Sequence, residues 1–455
     1  MKIKFKNLGP LKSGEFELKD FTLFCGKNNT GKTYVNYLIY AVLETLKEFK
    51  IDFNLNINTL LKEGTQTIDI IKIFDDNFDI VLKEISKNVK ENLYIFFNCK
   101  KEFFKDLELE IELNKKEKRE ELFEEEFSRL VTRGLGKITV ANVVKEKNDK
   151  NITFVYLENK LFEEPIKKIF LEYVNKFIYT LLIRENKNKY MLPTERNGLN
   201  IFYNELLKRR SDFVEDINTG MESISEVSSY SKPVKDYLQI LTQLDVLNKT
   251  DTNDENIMEI AEEMEKEIIK GKYKIDKNKI IYQTENEKEL DLYLASSTVK
   301  TIFGIIFYLR HLIRKGDYLI IDEPELNLHP ENQIKIARLL TRMAKSGIRI
   351  IISTHSDYIS KELNNLLMLN NKFKGKEEII ERYGYNEQDI LSSAKVGAYL
   401  FADRVMQKME ITDEGIITRT FDEVIESLNE RNDEIYYAIK ESGDVQWLKK
   451  MEKKL

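Results

Sequence analysis

Two glycines and a lysine lie close together in 26-GKNNTGKT-33, directly after the apolar run 21-FTLFC-25. Triphosphate oxygens carry dense negative charge, and consecutive backbone N–H groups at a helix N-terminus can bind them where no bulky side chain intervenes. The pattern G-x-x-x-x-G-K-[ST] meets that need when a strand precedes it and a helix follows. An ordinary glycine-rich turn is the alternative. The predicted phosphate-binding residues are Gly26, Lys27, Asn28, Asn29, Thr30, Gly31, Lys32 and Thr33.

Each part of this loop has its own predicted role. Gly26 and Gly31 permit the turn and a close approach of the backbone to phosphate. Lys32 is expected to reach the β- and γ-phosphates of ATP, and the Thr33 hydroxyl is expected to bind Mg²⁺. Apolar residues recur at helical spacing over 35–49, which predicts the helix that the loop requires.

The segment 318-YLIIDEPELNLHP-330 places two acidic residues at the end of an apolar strand. Ligands of doubly wound α/β folds bind at the carboxyl ends of the parallel strands, so Asp322 is expected there as a Mg²⁺ ligand acting through water. Glu323, one residue on, faces differently and is predicted to be the general base that polarises the attacking water. A strand ending in an acidic turn is the alternative, and the phosphate loop upstream disfavours it.

The next apolar strand, 348-IRIIIST-354, ends beside His355, one of three histidines in the chain. A neighbouring strand would carry His355 toward the γ-phosphate, where it is predicted to bind the phosphate or orient the water. Two interpretations of His329 stay open, namely a contact with another subunit and a helix-entry position before Pro330. His311 is expected to be structural or exposed.

Two hydroxyls, Ser296 and Ser297, stand in 294-LASSTVKT-301 at the head of a predicted helix. Helix capping alone would explain them. The same helix head, with its dipole and free N–H groups, is also an anion site. Both serines are therefore candidate nucleotide-binding residues, and the capping interpretation stays open.

The amino-acid composition limits the classes to which the protein can belong. The chain has 455 residues, 42% of them hydrophobic, and a net charge of -6, which is typical of a soluble globular protein with more than one domain. No apolar run is long enough to span a bilayer. Two cysteines without disulfide or metal spacing indicate a cytoplasmic location. The net charge argues against an overall basic nucleic-acid binder, although 72 Lys and Arg leave a local basic groove open.

Strand and helix patterns along the chain predict an α/β fold. Continuous apolar strands separated by helices indicate a parallel sheet covered on both faces, and alternating segments such as 106–114 indicate antiparallel strands beside it. The chain is divided into an N-terminal part of a nucleotide-binding head at 1–198, a protruding helical arm inserted at 199–271, and a C-terminal part of the head at 272–455. This last part contains the serine loop, the acidic strand and the histidine.

The motifs GKNNTGKT, LASST, LIIDEPELNLHP and STHSD follow one another in the order found in ABC-type ATPases. The chain resembles the branch that includes SMC, Rad50, RecF and OLD proteins. This resemblance implies an ABC ATPase head that binds ATP and Mg²⁺, dimerises head-to-head on ATP and hydrolyses it. It also implies that the loop with Ser296 and Ser297 completes the site of a second subunit.

Some residues depart from the family pattern. Thr298 stands where the wider class usually has glycine, and a β-branched residue restricts the backbone there. No glutamine is assigned to the Mg²⁺-sensing loop. The segment 190-YMLPTERNG-198 resembles one in OLD-like defence ATPases, and Arg196 in it is open between a nucleotide contact and a structural ion pair. Residues 356–455 contain no D-x-D pair, which disfavours a TOPRIM nuclease in this chain.

The motif layout also resembles the ATPase component of PARIS-type anti-phage systems, an analogy of family rather than of chemistry. It implies a homodimer or higher homo-oligomer, a separately encoded nuclease or toxin as effector, and DNA or a phage protein as trigger, with no membrane partner. Two alternatives stay open. One is a RecF-like DNA repair ATPase with salt-dependent binding to duplex DNA. The other is a scaffold that binds ATP with little turnover.

Overall fold

The structure, a computed structural model, describes residues 1–55, 63–133, 138–156, 164–185, 187–206, 230–251, 254–412, 415–416 and 430–438. The strands in these residues are β1 (Lys2–Leu8), β2 (Leu11–Glu17), β3 (Phe21–Gly26), β4 (Thr65–Asp69), β5 (Glu108–Glu112), β6 (Phe127–Arg133), β7 (Ile138–Lys145), β8 (Asn151–Tyr156), β9 (Lys189–Leu192), β10 (Gly271–Asp276), β11 (Lys279–Thr284), β12 (Glu289–Asp291), β13 (Tyr318–Asp322), β14 (Arg349–Thr354), β15 (Val396–Ala402), β16 (Val405–Lys408), β17 (Ile411–Thr412) and β18 (Gly415–Ile416).

The helices in the same residues range in length from 4 to 28 residues. They are α1 (Lys32–Glu48), α2 (Ile70–Phe97), α3 (Lys115–Glu124), α4 (Glu164–Ile183), α5 (Lys232–Leu241), α6 (Leu244–Leu247), α7 (Glu255–Met264), α8 (Ser297–His311), α9 (Pro330–Lys345), α10 (Asp357–Met368) and α11 (Lys376–Tyr383). Residues 196–206 and 430–438 are also helical. Helix α7 continues into one π-helical turn, Glu265–Ile269.

The largest sheet of the described residues has nine strands in the order β5-β1-β2-β16-β15-β3-β14-β13-β9. Strands β15, β3, β14, β13 and β9 run parallel to one another. The pairs β15–β16, β1–β2 and β1–β5 are antiparallel and extend the same sheet. The predicted α/β fold, a parallel phosphate-loop sheet with an antiparallel part, is confirmed.

The parallel strands are apolar because helices cover both of their faces. Every residue of β3 and β13 is buried. Successive side chains of a strand point to opposite faces, so Phe24 and Ile320 pack with α1 and α2, whereas Leu23 and Ile321 pack with α8 and α9. Polar residues are therefore restricted to the strand ends, where the functional motifs lie.

Helix α2, 28 residues long, was not predicted from the sequence. The Asp69 side chain caps its N-terminus by accepting a hydrogen bond from the Lys72 N–H. Its buried residues recur at helical spacing and include Phe74, Phe78 and Val81. This apolar stripe joins the same core cluster as α1, so α2 supports the helix that begins at the phosphate loop.

The described residues of the predicted arm at 199–271 are mostly helical. Helices α5 and α7 bury apolar residues, among them Tyr237, Leu241, Ile257 and Met264, in the same core cluster as α8. Each helix is amphipathic, so its charged residues face outward while its apolar stripe packs on the body of the molecule. Residues 207–229 of the predicted arm lie outside the described part of the chain.

The C-terminal region supplies a central strand of the sheet. Strand β15 pairs with β3 in register from Val396 opposite Phe21 to Phe401 opposite Gly26. The described part of the tail thus adds strands to this sheet, and residues 413–414, 417–429 and 439–455 lie outside the described residues. None of the described helices combines the length and the apolarity that crossing a bilayer requires.

Candidate functional site

The loop between β3 and α1 requires glycine at two positions. Gly26 has a φ of 151° and Gly31 a φ of 100°, and both values lie in the region that favours glycine. A Cβ on Gly26 would lie 2.8 Å from the Phe401 carbonyl oxygen, and one on Gly31 would lie 2.9 Å from Leu11 Cγ. The loop can therefore keep this shape only with glycine at both ends.

Lys32 is the first residue of α1 and is buried. Its ammonium donates hydrogen bonds to the carbonyl oxygens of Gly26, at 2.6 Å, and Lys27, at 2.9 Å. Within the described part of the chain this ammonium forms no ion pair. Burial lowers the pKa of Lys32, and nearby carboxylates oppose that shift. The loop thus holds a desolvated cation that has no anion in contact.

Asp322 ends β13 and is 2% exposed. The Thr33 hydroxyl donates to its Oδ2 at 2.9 Å, and the Ser353 hydroxyl donates to its Oδ1. Asn36 in turn donates to Ser353 Oγ at 2.8 Å. Burial raises the pKa of the Asp322 carboxyl, while the two hydroxyl bonds lower it. The ends of β13 and β14 and the start of α1 are therefore joined through one buried carboxylate.

Glu323 follows Asp322 in an uncommon backbone conformation. Its φ is 53°, and the left-handed region costs an L-residue about 1–2 kcal/mol. Its N–H donates to the Ser353 carbonyl oxygen at 2.9 Å, and its own carbonyl oxygen accepts from Arg196 Nη2 at 2.6 Å. Hydrogen bonds on both sides of the residue hold the turn against this cost.

His355 lies between two glutamates. Its Nδ1 is 3.4 Å from Oε1 of Glu323 and 3.4 Å from Oε1 of Glu325. The Glu325 carboxylate is 5% exposed, and its Oε1 accepts hydrogen bonds from the Thr354 hydroxyl and the His355 N–H. The structure therefore places the predicted base and the predicted phosphate-sensing histidine side by side, beside a second glutamate that the sequence analysis did not select.

The phosphate loop and the acidic strand end face each other across an open cleft of about 600 Å³, a volume usual for small-molecule sites. Thr33 and Asp322, 289 residues apart in sequence, meet in its wall. The lining residues are Pro10, Asn28, Asn29, Thr30, Gly31, Lys32, Thr33, Tyr34, Thr194, Asp322 and Glu323.

The two serines of the candidate anion site are not in this cleft. Ser296 caps α8 by accepting a hydrogen bond from the Val299 N–H, and Ser297 is exposed. The Thr298 hydroxyl donates to the Asn327 carbonyl oxygen at 3.0 Å. The capping interpretation therefore holds for Ser296, and any contact of these serines with a nucleotide would have to be with that of another subunit.

Arg196 matches neither alternative that the sequence left open. Its guanidinium is fully buried, does not line the cleft, and has no carboxylate partner among the described residues. It donates instead to the carbonyl oxygens of Pro193, Asp322 and Glu323. The ion-pair interpretation is wrong because the backbone of the acidic turn, not a side chain, receives the guanidinium.

The remaining histidines have structural contacts. His329 caps α9, accepting a hydrogen bond from the Glu331 N–H at 3.4 Å, which agrees with the helix-entry interpretation. The Nδ1 atom of His311 lies 2.7 Å from the Thr250 carbonyl oxygen. Neither residue lines the cleft.

The residues of the cleft fit a magnesium-bound triphosphate. Among the residues that the structure describes, the Lys32 ammonium hydrogen-bonds only to neutral carbonyls, and the Asp322 carboxylate accepts hydrogen bonds only from hydroxyls. A buried cation and a buried carboxylate without ionic partners are complementary to phosphate and to a hard divalent cation, respectively. Thr33 and Asp322 supply the oxygen donors that Mg²⁺ prefers. The glycines leave backbone N–H groups unobstructed at the N-terminus of α1.

Several residues around the cleft were missed in the sequence analysis, among them Asn36, Ser353, Glu325 and Thr194. Asn36 lies one helical turn after Thr33, and that spacing alone could have indicated it. Ser353 and Glu325 stand inside segments already singled out, but only the pairing of β13 with β14 shows that Ser353 is opposite Asp322. Thr194 lines the cleft from the loop after β9, where no glutamine is present.

Comparison with known proteins assigns the family. The profile of the AAA ATPase domain family matches residues 1–360. The chain belongs to this family. As an AAA ATPase domain it carries the type of phosphate loop that binds ATP. No curated protein matched this AAA ATPase domain.

Solved structures with some likeness to this AAA ATPase domain are SMC heads. One is the SMC head domain from Thermotoga maritima, with 10% identity, 90% of this chain and 98% of that chain covered, and a TM-score of 0.30. Another is the SmcHead bound to the C-winged helix domain of ScpA, with 12% identity, 90% and 96% covered, and a TM-score of 0.34. A third is an Smc head with an extended coiled coil bound to the C-terminal domain of ScpA, from Pyrococcus furiosus, with 10% identity, 95% and 98% covered, and a TM-score of 0.30.

Substitution of Lys32 tests whether the cleft is the nucleotide site. Lys32→Ala removes the buried ammonium, and the Kd for ATP is expected to rise by about 100-fold or more, since hydrogen bonds to charged groups contribute about 1.5–3 kcal/mol each. Titration calorimetry with Mg²⁺-ATP measures this change. Lys272→Ala, at an exposed strand position, is the control and is expected to bind as the wild type does. Tight binding by Lys32→Ala would show that the cleft is not the site.

Proposed function

We propose that this chain binds ATP with Mg²⁺ in the cleft, hydrolyses it, forms a head-to-head dimer on ATP, and controls a separately encoded effector in anti-phage defence. The observation that carries the enzymatic part is the meeting of Lys32, Thr33, Asp322 and Glu323 around one cleft. These residues come from two distant segments of the chain. Together they supply an ammonium for phosphate, oxygen donors for Mg²⁺ and a carboxylate for proton abstraction, and this combination favours ATP hydrolysis.

The binding step follows from the contacts of the phosphate loop. Lys32 exchanges its bonds to the Gly26 and Lys27 carbonyls for bonds to phosphate oxygens. Thr33 and Asp322 would hold Mg²⁺, which would supply positive charge to the phosphate oxygens. Backbone N–H groups of the loop bind the remaining oxygens, aided by the positive end of the α1 dipole.

The acidic turn supplies the general base for the hydrolytic step. Glu323 takes a proton from water as the water oxygen bonds to the γ-phosphorus and the bond from that phosphorus to the β–γ bridging oxygen breaks. His355, 3.4 Å from the Glu323 carboxylate, lies where it can donate a hydrogen bond to the γ-phosphate or orient the water. The Glu325 carboxylate holds the His355 N–H and so fixes the backbone at that position.

Exposed apolar residues beside Ser296 and Ser297 support the proposed dimer. Tyr293 and Leu294, immediately before them, are 58% and 60% exposed. Neighbouring exposed apolar side chains are typical of interaction surfaces. Ser296 and Ser297 stand at the N-terminus of α8, outside their own cleft. A second head placed here would bring the phosphates of its ATP to this helix end.

The defence role is supported by the motif layout, which resembles that of PARIS-type ATPases, and by segment 190–198, which resembles one in OLD-like defence ATPases. An effector encoded elsewhere is the partner that this resemblance implies. A phage protein or DNA is the corresponding trigger.

Glu323→Gln tests the assignment of the general base. The amide keeps the shape but cannot accept the proton, so turnover is expected to fall by about 10²–10⁴-fold while ATP binding persists. An ATP-bound dimer is expected to accumulate, as measured by light scattering after gel filtration. Glu331→Gln, exposed at the start of α9, is the control with unchanged turnover. Wild-type turnover in Glu323→Gln would show that another group is the base.

A mixing experiment tests whether the serine loop acts on the other subunit. Ser297→Arg is expected to bind ATP normally, because its own cleft is intact. It is expected not to hydrolyse ATP, because the altered serine loop would contact the nucleotide of the second subunit. Mixed with inactive Lys32→Ala, it is expected to restore about one quarter of wild-type turnover, since half of the exchanged dimers pair the two variants and each has one intact site. An inactive mixture in which heterodimers are detected, or full activity of Ser297→Arg alone, would contradict the head-to-head dimer.

Phage challenge tests the biological role. Cells carrying the gene together with its neighbouring genes are expected to reduce plaque formation by at least about tenfold, and Lys32→Ala is expected to abolish this protection because nucleotide binding is lost. Plaque counts measure both. Full protection without the neighbouring genes would contradict a separate effector. A strain that resists DNA damage but not phage would instead favour the repair ATPase.

A further inference from the structure

Arg196 occupies an unusual place for an arginine. It is 0% exposed, and its fork donates to three main-chain carbonyl oxygens: Pro193 at 3.1 Å, Asp322 at 2.7 Å and Glu323 at 2.6 Å. Its Nε is buried without a hydrogen-bond partner. Arginines that are buried in proteins usually meet a carboxylate or phosphate, because neutral carbonyls only partly compensate the lost hydration.

The two carbonyls nearest to the guanidinium belong to the residues that carry the proposed chemistry. Asp322 and Glu323 are the last residue of β13 and the first residue of the turn. The Glu323 backbone has a φ of 53°, in the left-handed region. Arg196 binds the carbonyl on each side of the Glu323 nitrogen and α-carbon, so the fork spans the strained residue.

The helix that carries Arg196 is itself held in place by hydrogen bonds. Arg196 begins the helix at 196–206, and Asn200 lies one turn further along it. The Asn200 amide donates to the Lys300 carbonyl oxygen of α8 at 2.7 Å, and its Oδ1 accepts from the Tyr237 hydroxyl at 2.6 Å. The helix that carries Arg196 is thereby bonded to α8 and to α5, and the guanidinium position does not depend on a free loop.

Arg196 does not face the nucleotide. Thr194, two residues before Arg196, lines the cleft, whereas Arg196 does not. An effect of Arg196 on hydrolysis must therefore pass through the turn it holds.

We propose that Arg196 is a positioning residue that keeps the Asp322–Glu323 turn in its left-handed conformation and so places the Glu323 carboxylate for proton abstraction; this inference rests on the proposed ATPase function. Without the fork, the turn relaxes toward negative φ and the carboxylate moves away from the attacking water. The loss appears in kcat, because the Lys32 and Thr33 contacts that bind ATP remain.

The test compares two variants of Arg196 in the full chain. Arg196→Lys keeps a buried cation but can bond fewer of the three carbonyls, and Arg196→Met keeps the length without donors. Each is expected to lower kcat for Mg²⁺-ATP by at least tenfold, with Lys the milder change and the Kd for ATP altered by less than threefold. Arg342→Lys, at a mostly buried arginine on α9 that pairs with Glu263 and Asp389, is the matched control with wild-type kcat.

A double-mutant cycle separates positioning from general structural support. If Arg196 acts through Glu323, adding Arg196→Lys to Glu323→Gln lowers the residual rate no further, because the group being positioned is already removed. A residue that only supports the fold would lower the rate by the same factor in both backgrounds and would also weaken ATP binding. That additive result would overturn the proposal.

The remaining outcomes distinguish this proposal from the proposed function. Wild-type kcat in the Arg196 variants beside an inactive Glu323→Gln would overturn the positioning role alone. A wild-type chain that does not hydrolyse ATP would overturn the proposed function and this inference with it. If Arg196→Met does not fold, as judged by circular dichroism and ATP binding, the Arg196→Lys cycle decides.

Discussion

The buried carboxylate of Asp322 is the interaction on which the site depends. A charge of this kind is costly to bury unless hydrogen bonds or an ion compensate it. Here the hydroxyls of Thr33 and Ser353 donate the hydrogen bonds. Thr33 belongs to the phosphate-loop helix, and Ser353 belongs to the neighbouring strand. Because one carboxylate joins these elements, displacement of either hydroxyl would leave one of its two oxygens without that hydrogen bond.

The order of the strands explains how distant segments meet there. Strand β14 lies between β3 and β13, so the phosphate loop, Ser353 and Asp322 follow three adjacent parallel strands at one edge. Strand β15, from the C-terminal region, lies on the other side of β3 and brings Phe401 against Gly26. The shape of the loop is thus restricted by residues from the far end of the described chain.

The acidic turn shows how the surroundings impose an unfavourable local conformation. Glu323 is not a residue that prefers positive φ, and the hydrogen bonds from Arg196 and to Ser353 hold it there. The same surroundings bring His355 and Glu325 beside it. Strain of this kind is common at functional sites, where it fixes a side chain that would otherwise move.

The sequence by itself determined the phosphate loop, the acidic strand end, the α/β class and the helices with strong periodicity, because each depends on residues close together in the chain. It did not determine that β15 joins β3, that the helices of 230–269 pack inward, or that Ser353 and Asn36 belong to the Asp322 network. Arg196 shows the limit most clearly. The sequence left it open between a nucleotide contact and an ion pair. Two of its three partners are carbonyls more than a hundred residues away, and only tertiary packing decides such long-range contacts.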